Sequence, residues 1–126
     1  MNQQEIFDKV ATHLIAQGKQ SLGYWDGLEG SDLTCSYRGA DGTMCAAGCL
    51  IPDDEYDDEF ETQPWMHIWP DIPTFANEPL EVHELISALQ AVHDDERHWE
   101  DTETLKEALR DVTTCYGLSS DVLNIG

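Results

Sequence analysis

The sequence predicts an α+β fold in a single domain spanning residues 1–126, with three main helices packed on a small antiparallel β-hairpin. Three stretches carry apolar residues at the spacing of an amphipathic helix, and a glycine-rich stretch interrupts that spacing. Hydrophobic residues make up 40% of the chain, which is enough to build a core, and the length suits one domain.

The first helix is predicted over residues 2–17. At 100° per residue, its apolar side chains fall on one face: Ile6, Phe7, Val10, Ala11 and Leu14. Gly18 is expected to end this helix, because glycine readily adopts the left-handed conformation that commonly follows a helix.

Glycines recur through residues 18–48, which predicts turns and strands rather than helix. Within this stretch, residues 33–37 and 43–47 flank a turn sequence, 38–42, that contains Asp-Gly. Asp-Gly between two candidate strands is a strong signal for a β-hairpin, so one hairpin is expected here.

Residues 63–77 combine three prolines with two tryptophans and a phenylalanine. The prolines exclude a long helix, whereas the aromatic rings favour burial. We expect this segment either to lie on the core as irregular chain or to form a partly exposed apolar patch.

Two further helices are predicted over residues 79–95 and 101–116. Pro79 suits the first helical position, because its missing N–H has no intrahelical acceptor to lose there. Gly117 is expected to end the last helix, and Thr104 with Glu107 would form a capping box if that helix began late.

The densest motif is YRGADGTMCAAGCLIPD at residues 37–53. It resembles a family of small phage and bacterial proteins with the core YRG-x-x-G-x-x-CA-x-GCLIP followed by Asp or Glu, placed between an N-terminal helix and a C-terminal helical pair. The resemblance brings no activity and no catalytic residues with it. It implies a phage or prophage setting, which favours small regulatory or counter-defence roles over a role in metabolism.

Acidic residues dominate the charge of the chain: 26 Asp and Glu stand against 6 Lys and Arg, for a formal net charge of −20. Such a chain would be repelled by nucleic acid and by anionic membranes, so direct binding to either is excluded. With acidic residues near its N-terminus and no apolar run near 18 residues, it is expected in the cytoplasm, and in the host cytoplasm if phage-encoded.

Clustered carboxylates predict a function in which the protein imitates the charge of duplex DNA. Neighbouring carboxylates on a helix or strand lie about 6 Å apart, close to the ~6.8 Å spanned by two base-pair steps. The expected partner is a basic, nucleic-acid-binding host protein, inhibited by a monomer or homodimer in a counter-defence or anti-restriction role. The predicted partner-binding residues are Asp53, Asp54, Glu55, Asp57, Asp58, Glu59, Glu61, Glu100, Glu103, Glu107 and Asp111.

Two other functions stay open. The first is a protein-binding adaptor that uses the tryptophan-rich segment 65–69, with Trp65, Met66 and Trp69 as its interface, since exposed tryptophans often anchor interfaces. The second is a small zinc-binding protein, although the cysteine spacing is not that of a zinc knuckle. Its weak candidate ligands are Cys35, Cys45, Cys49 and His67.

An enzyme is not expected, and no cofactor is predicted. A nucleophilic cysteine needs nearby positive charge to lower its pKa, and this chain supplies little. Arg38 is expected to form an ion pair with Asp41 or with the acidic run 53–61, and His83 and His93 are expected in the core or at its boundary.

Overall fold

Four α-helices and short 3-10 turns form most of the protein in the computed structural model, which describes residues 2–23, 34–61 and 63–124. Two strands of two residues each pair antiparallel, with Leu22 opposite Cys35. The predicted α+β class is therefore wrong, because the described part of the chain is mostly helical. The elements are α1 (Gln3–Gln17), β1 (Leu22–Gly23), β2 (Thr34–Cys35), α2 (Trp65–Ile68), α3 (Leu80–Asp94) and α4 (Thr102–Tyr116).

The hairpin predicted from residues 33–37 and 43–47 is not formed; residue 33 itself lies outside the described residues. Residues Ala40–Gly42 make a 3-10 turn, and the flanking segments meet at an isolated bridge between Arg38 and Met44.

The reason lies in the burial pattern after the turn. Asp41 and Gly42 both have positive φ, 59° and 76°, so the Asp-Gly pair does reverse the chain. Residues 45–48, however, are all buried, whereas a half-buried strand alternates between buried and exposed positions. Cys45 and its neighbours therefore enter the core as turns instead of extending as a strand.

The predicted first and last helices are confirmed. Helix α1 begins after Asn2, whose side chain caps the first turn, and ends at Gly18 with φ of 69°. Helix α4 begins after Asp101 and ends at Gly117 with φ of 67°. The late start required for a capping box at Thr104 does not occur, because the Asp101 side chain accepts the Thr104 N–H at 2.7 Å.

The helix predicted over residues 79–95 is also present as α3, with Pro79 immediately before its first residue rather than within it. Helices α1, α3 and α4 contact one another, and α2 packs on α3. One cluster of buried side chains joins them, and its largest fully buried members are Trp65, Phe7, Phe75, Ile6, Leu14, Ile68, Ile72, Leu85, Ile86, Leu89, Leu109 and Leu123.

The motif at residues 37–53 acts as a packing unit. Gly48 lies directly against the backbone of Tyr37, and a Cβ at this position would overlap the Tyr37 carbonyl oxygen. Gly39 is similarly enclosed by the side chains of Ser21 and Thr43. These two glycines are therefore required by close approach of the chain.

In the part of the chain that the structure describes, no helix has both the length and the apolar character needed to cross a membrane.

Candidate functional site

The segment 53–61, predicted as the main partner-binding surface, is organised by a buried carboxylate. Glu61 is 5% exposed and accepts the backbone N–H groups of Tyr37 and Arg38 at 2.9 and 3.0 Å. The Tyr56 hydroxyl also donates to Glu61, at 2.6 Å. Because a buried charge needs such partners to be tolerated, Glu61 is a structural residue and does not belong to the exposed acidic surface.

Arg38 holds the start of the acidic segment in place. Its Nη1 donates to the Asp53 carboxylate at 2.6 Å, its Nη2 donates to the Ile51 carbonyl at 2.7 Å, and its guanidinium lies 4.9 Å from the centre of the Tyr56 ring. The expected ion pair with the acidic run is thus confirmed, and it involves Asp53. Burial, reinforced by the bond to Glu61, raises the pKa of Tyr56, so this hydroxyl stays a donor.

Most other acids of the segment face solvent. Glu55 is half-buried and accepts the N–H and hydroxyl of Thr74 at 2.7 and 2.6 Å, which joins the segment to the residues after α2. Asp57 caps the 3-10 turn Asp58–Phe60. The exposed predicted residues of this segment are Asp53, Asp54, Asp57, Asp58 and Glu59.

The second predicted group lies on and just before α4. Glu103, Glu107 and Asp111 are exposed at intervals of four residues, so successive carboxylates are displaced by about 6 Å along the helix axis. Glu100 is exposed in the turn that precedes the helix. Lys106 is buried on the same helix, with its Nζ 4.0 Å from the Glu103 carboxylate.

The few basic side chains are largely engaged by local carboxylates. The Nζ of Lys19 lies 3.8 Å from Asp41, and Arg97 lies 2.7 Å from Asp95. With Arg38 and Lys106 also next to acids, the exposed surface keeps a strongly negative charge.

The tryptophan-rich segment is mainly a core element. Trp65 is 2% exposed, and its Nε1 donates to the Nδ1 of His83 at 3.1 Å. The Trp69 ring stacks on the same imidazole. The prediction that Trp65 forms an interface is therefore wrong, because α2 turns its indole inwards. Of the three predicted interface side chains, only Met66, 41% exposed, clearly faces solvent.

The four candidate zinc ligands are not brought together. The buried Cys45 accepts the Gly48 N–H at 3.2 Å, and Cys49 donates to the Ala46 carbonyl at 3.1 Å. His67 is exposed on α2. One cluster of potential metal ligands occurs among the described residues, and Cys35 is the only one of the four candidates that belongs to it.

That cluster joins Cys35 to His93 and Asp94, and sequence reasoning missed it. One ligand atom of each residue lies within 4.8 Å of the other two. His93 is buried, as expected, with Nε2 accepting the Ser21 N–H at 2.9 Å and Nδ1 2.9 Å from Asp94 Oδ1. Burial, reinforced by Asp94, raises the pKa of the Cys35 thiol to about 12. No local spacing could have predicted this meeting of residues 58 positions apart.

The chain matches no family model, and comparisons with curated proteins and with solved structures found no match. Fold and surface together define a mostly helical, strongly acidic protein whose exposed carboxylates are held on a well-packed core.

Proposed function

We propose that this protein binds a basic, nucleic-acid-binding host protein and inhibits it by imitating DNA, in a counter-defence or anti-restriction role. The observation that carries the proposal is the exposure of clustered carboxylates in segment 53–59 and along α4, on a chain whose basic side chains are largely paired locally.

The spacing of the exposed carboxylates on α4, called the α4 stripe here, supports this proposal. Glu103, Glu107 and Asp111 advance by about 6 Å per carboxylate, near the ~6.8 Å advance of two base-pair steps. The stripe lies opposite a buried face that includes Leu105, Leu109 and Val112, so the helix cannot rotate to relax the repulsion. Its charges are therefore pre-organised for a basic groove.

The net charge adds an energetic argument. At −20, repulsion among surface carboxylates opposes compaction of a chain of 126 residues. Ordinary solubility requires far less charge. An excess of this size is consistent with a function that uses long-range attraction, which also accelerates association.

The test starts from the purified full chain, immobilised and exposed to a bacterial lysate, with captured proteins identified by mass spectrometry. We expect proteins that bind nucleic acid, released both by added salt and by duplex DNA. The purified partner should then lose its DNA binding when the acidic protein is added.

A matched pair of variants distinguishes an effect of the α4 carboxylates on inhibition from an effect of the total charge of the protein. Glu103→Gln/Glu107→Gln/Asp111→Asn should weaken inhibition at least about tenfold, because each lost charge contact contributes. Asp71→Asn/Glu81→Gln/Glu84→Gln removes the same charge from exposed positions elsewhere and should leave inhibition near the parent value. Simultaneous binding of DNA and this protein to the partner would refute the mimicry.

An adaptor remains a second candidate, now centred on different residues. Met66 and Leu80 are the large apolar side chains most exposed among the described residues, at 41% and 56%. A partner that binds there should lose affinity with Met66→Ala or Leu80→Ala and should not be displaced by DNA.

A further inference from the structure

A thiol, an imidazole and a carboxylate meet where β2 reaches the end of α3. Cys35 is half-buried, His93 is buried and Asp94 is exposed, so the group is reached from solvent on one side. Beside it opens a depression of about 560 Å³, whose lining includes Gln20, Cys35, Asp94 and Glu96.

We propose that Cys35, His93 and Asp94 bind one divalent transition-metal ion of the zinc class. Thiolate sulfur, imidazole nitrogen and carboxylate oxygen are the donor types that such ions take from proteins. Three protein ligands leave a fourth position that faces the depression, where water or a small ligand completes the coordination. The two anionic ligands balance the charge of the ion.

The electrostatics of the site favour a cation. Helix α3 ends here, so the negative end of its dipole points at the cluster. Asp95 and Glu96 add two carboxylates at the same place, and the nearby Arg97 is paired with Asp95 at 2.7 Å. A bound cation would relieve this concentration of negative charge.

A supporting side chain orients one of the proposed ligands. The Gln90 Nε2 donates to Asp94 Oδ1 at 3.0 Å, while the Gln90 Oε1 accepts the Ala47 N–H at 3.0 Å. Outer hydrogen bonds of this kind fix ligand carboxylates and contribute about 10- to 100-fold to metal affinity.

Metal binding would change the proton positions of His93. Without metal, the Ser21 N–H donates to Nε2, so Nδ1 carries the proton and donates to Asp94. When Nδ1 binds the ion, that proton moves to Nε2, and the Cys35 thiol releases its own proton. The Ser21 N–H then faces another donor and must leave, which links metal binding to a shift of the chain entering β1.

Cobalt(II) titration of the chelator-treated full chain tests the site directly. We expect one equivalent to bind, with a thiolate-to-cobalt charge-transfer band and the visible bands of four-coordinate cobalt, both removed by Zn²⁺. Cys35→Ser should abolish the charge-transfer band. The matched control Cys115→Ser, which alters an exposed thiol on α4, should keep it.

A second variant and a second readout keep the test independent of folding defects. Asp94→Asn retains the acceptor for His93 but should weaken Co²⁺ binding at least about tenfold. Zn²⁺ should also shift the Ser21 amide resonance and speed its hydrogen exchange. Failure of the parent to show a thiolate band, or persistence of that band in Cys35→Ser, would overturn the proposal.

Discussion

Trp69 stacks face to face on His83, with ring centroids 3.8 Å apart and an angle of 15° between the planes. The imidazole is completely buried, and its Nδ1 accepts the N–H of Trp65. One histidine of α3 therefore contacts both tryptophans of the proline-rich segment.

We expect the free energy of unfolding to fall as the pH drops below about 6.5, the pKa of histidine in an unfolded chain. Burial lowers the pKa of His83 in the folded protein, so the unfolded chain binds the proton first and acid favours unfolding. Urea denaturation at several pH values across this range measures how steeply the free energy of unfolding changes with pH. His83→Gln should flatten this dependence, whereas His67→Gln, at an exposed position, should not; equal slopes in all three proteins would contradict the assignment.

Trp65→Ala should lower the free energy of unfolding by about 3–5 kcal/mol, as expected for removing a large buried ring. Phe75 packs edge-on against this indole at 5.3 Å, so the loss leaves a cavity beside it. Met66→Ala, one position along α2, should change stability by less than about 1 kcal/mol. Denaturant titrations decide, and similar losses for both variants would contradict the inward orientation of Trp65.

Glu61→Gln should destabilise the protein by about 1–3 kcal/mol, because an amide cannot accept from all three donors that now meet the carboxylate. The exposed neighbour Glu59 provides the control, and Glu59→Gln should stay within about 0.5 kcal/mol of the parent. Thermal unfolding of the two variants side by side measures the difference. If they matched, the buried carboxylate would have no structural role.

Neutralising exposed acids should instead stabilise the fold. Asp54→Asn/Asp58→Asn/Glu59→Gln removes three charges from solvent-facing positions, so self-repulsion falls and the melting temperature should rise at low salt. High salt should shrink the gain, because it screens the same repulsion in the parent. A lower melting temperature at low salt would show that these carboxylates make stabilising contacts. Asp53 is kept because it pairs with Arg38.

Local patterns determined the helices. The apolar spacing in α1, α3 and α4, with glycine after α1 and α4, depends only on neighbouring residues, and the structure reproduces it. The net charge also follows from composition alone, so a strongly acidic protein could be predicted without knowledge of the fold.

Only the tertiary structure decided which polar side chains are exposed and which are buried. Glu61 belongs to an acidic run by sequence, yet it is buried because the backbone N–H groups of residues 37 and 38 converge on its carboxylate. Likewise, residues 43–47 turn into the core instead of forming a strand, and Cys35 meets His93 across 58 positions of chain. Each of these outcomes depends on contacts between segments that are distant in the sequence. Helix periodicity depends only on neighbouring residues, and net charge is a sum over all residues. These local and additive properties are therefore the ones that the sequence alone determined.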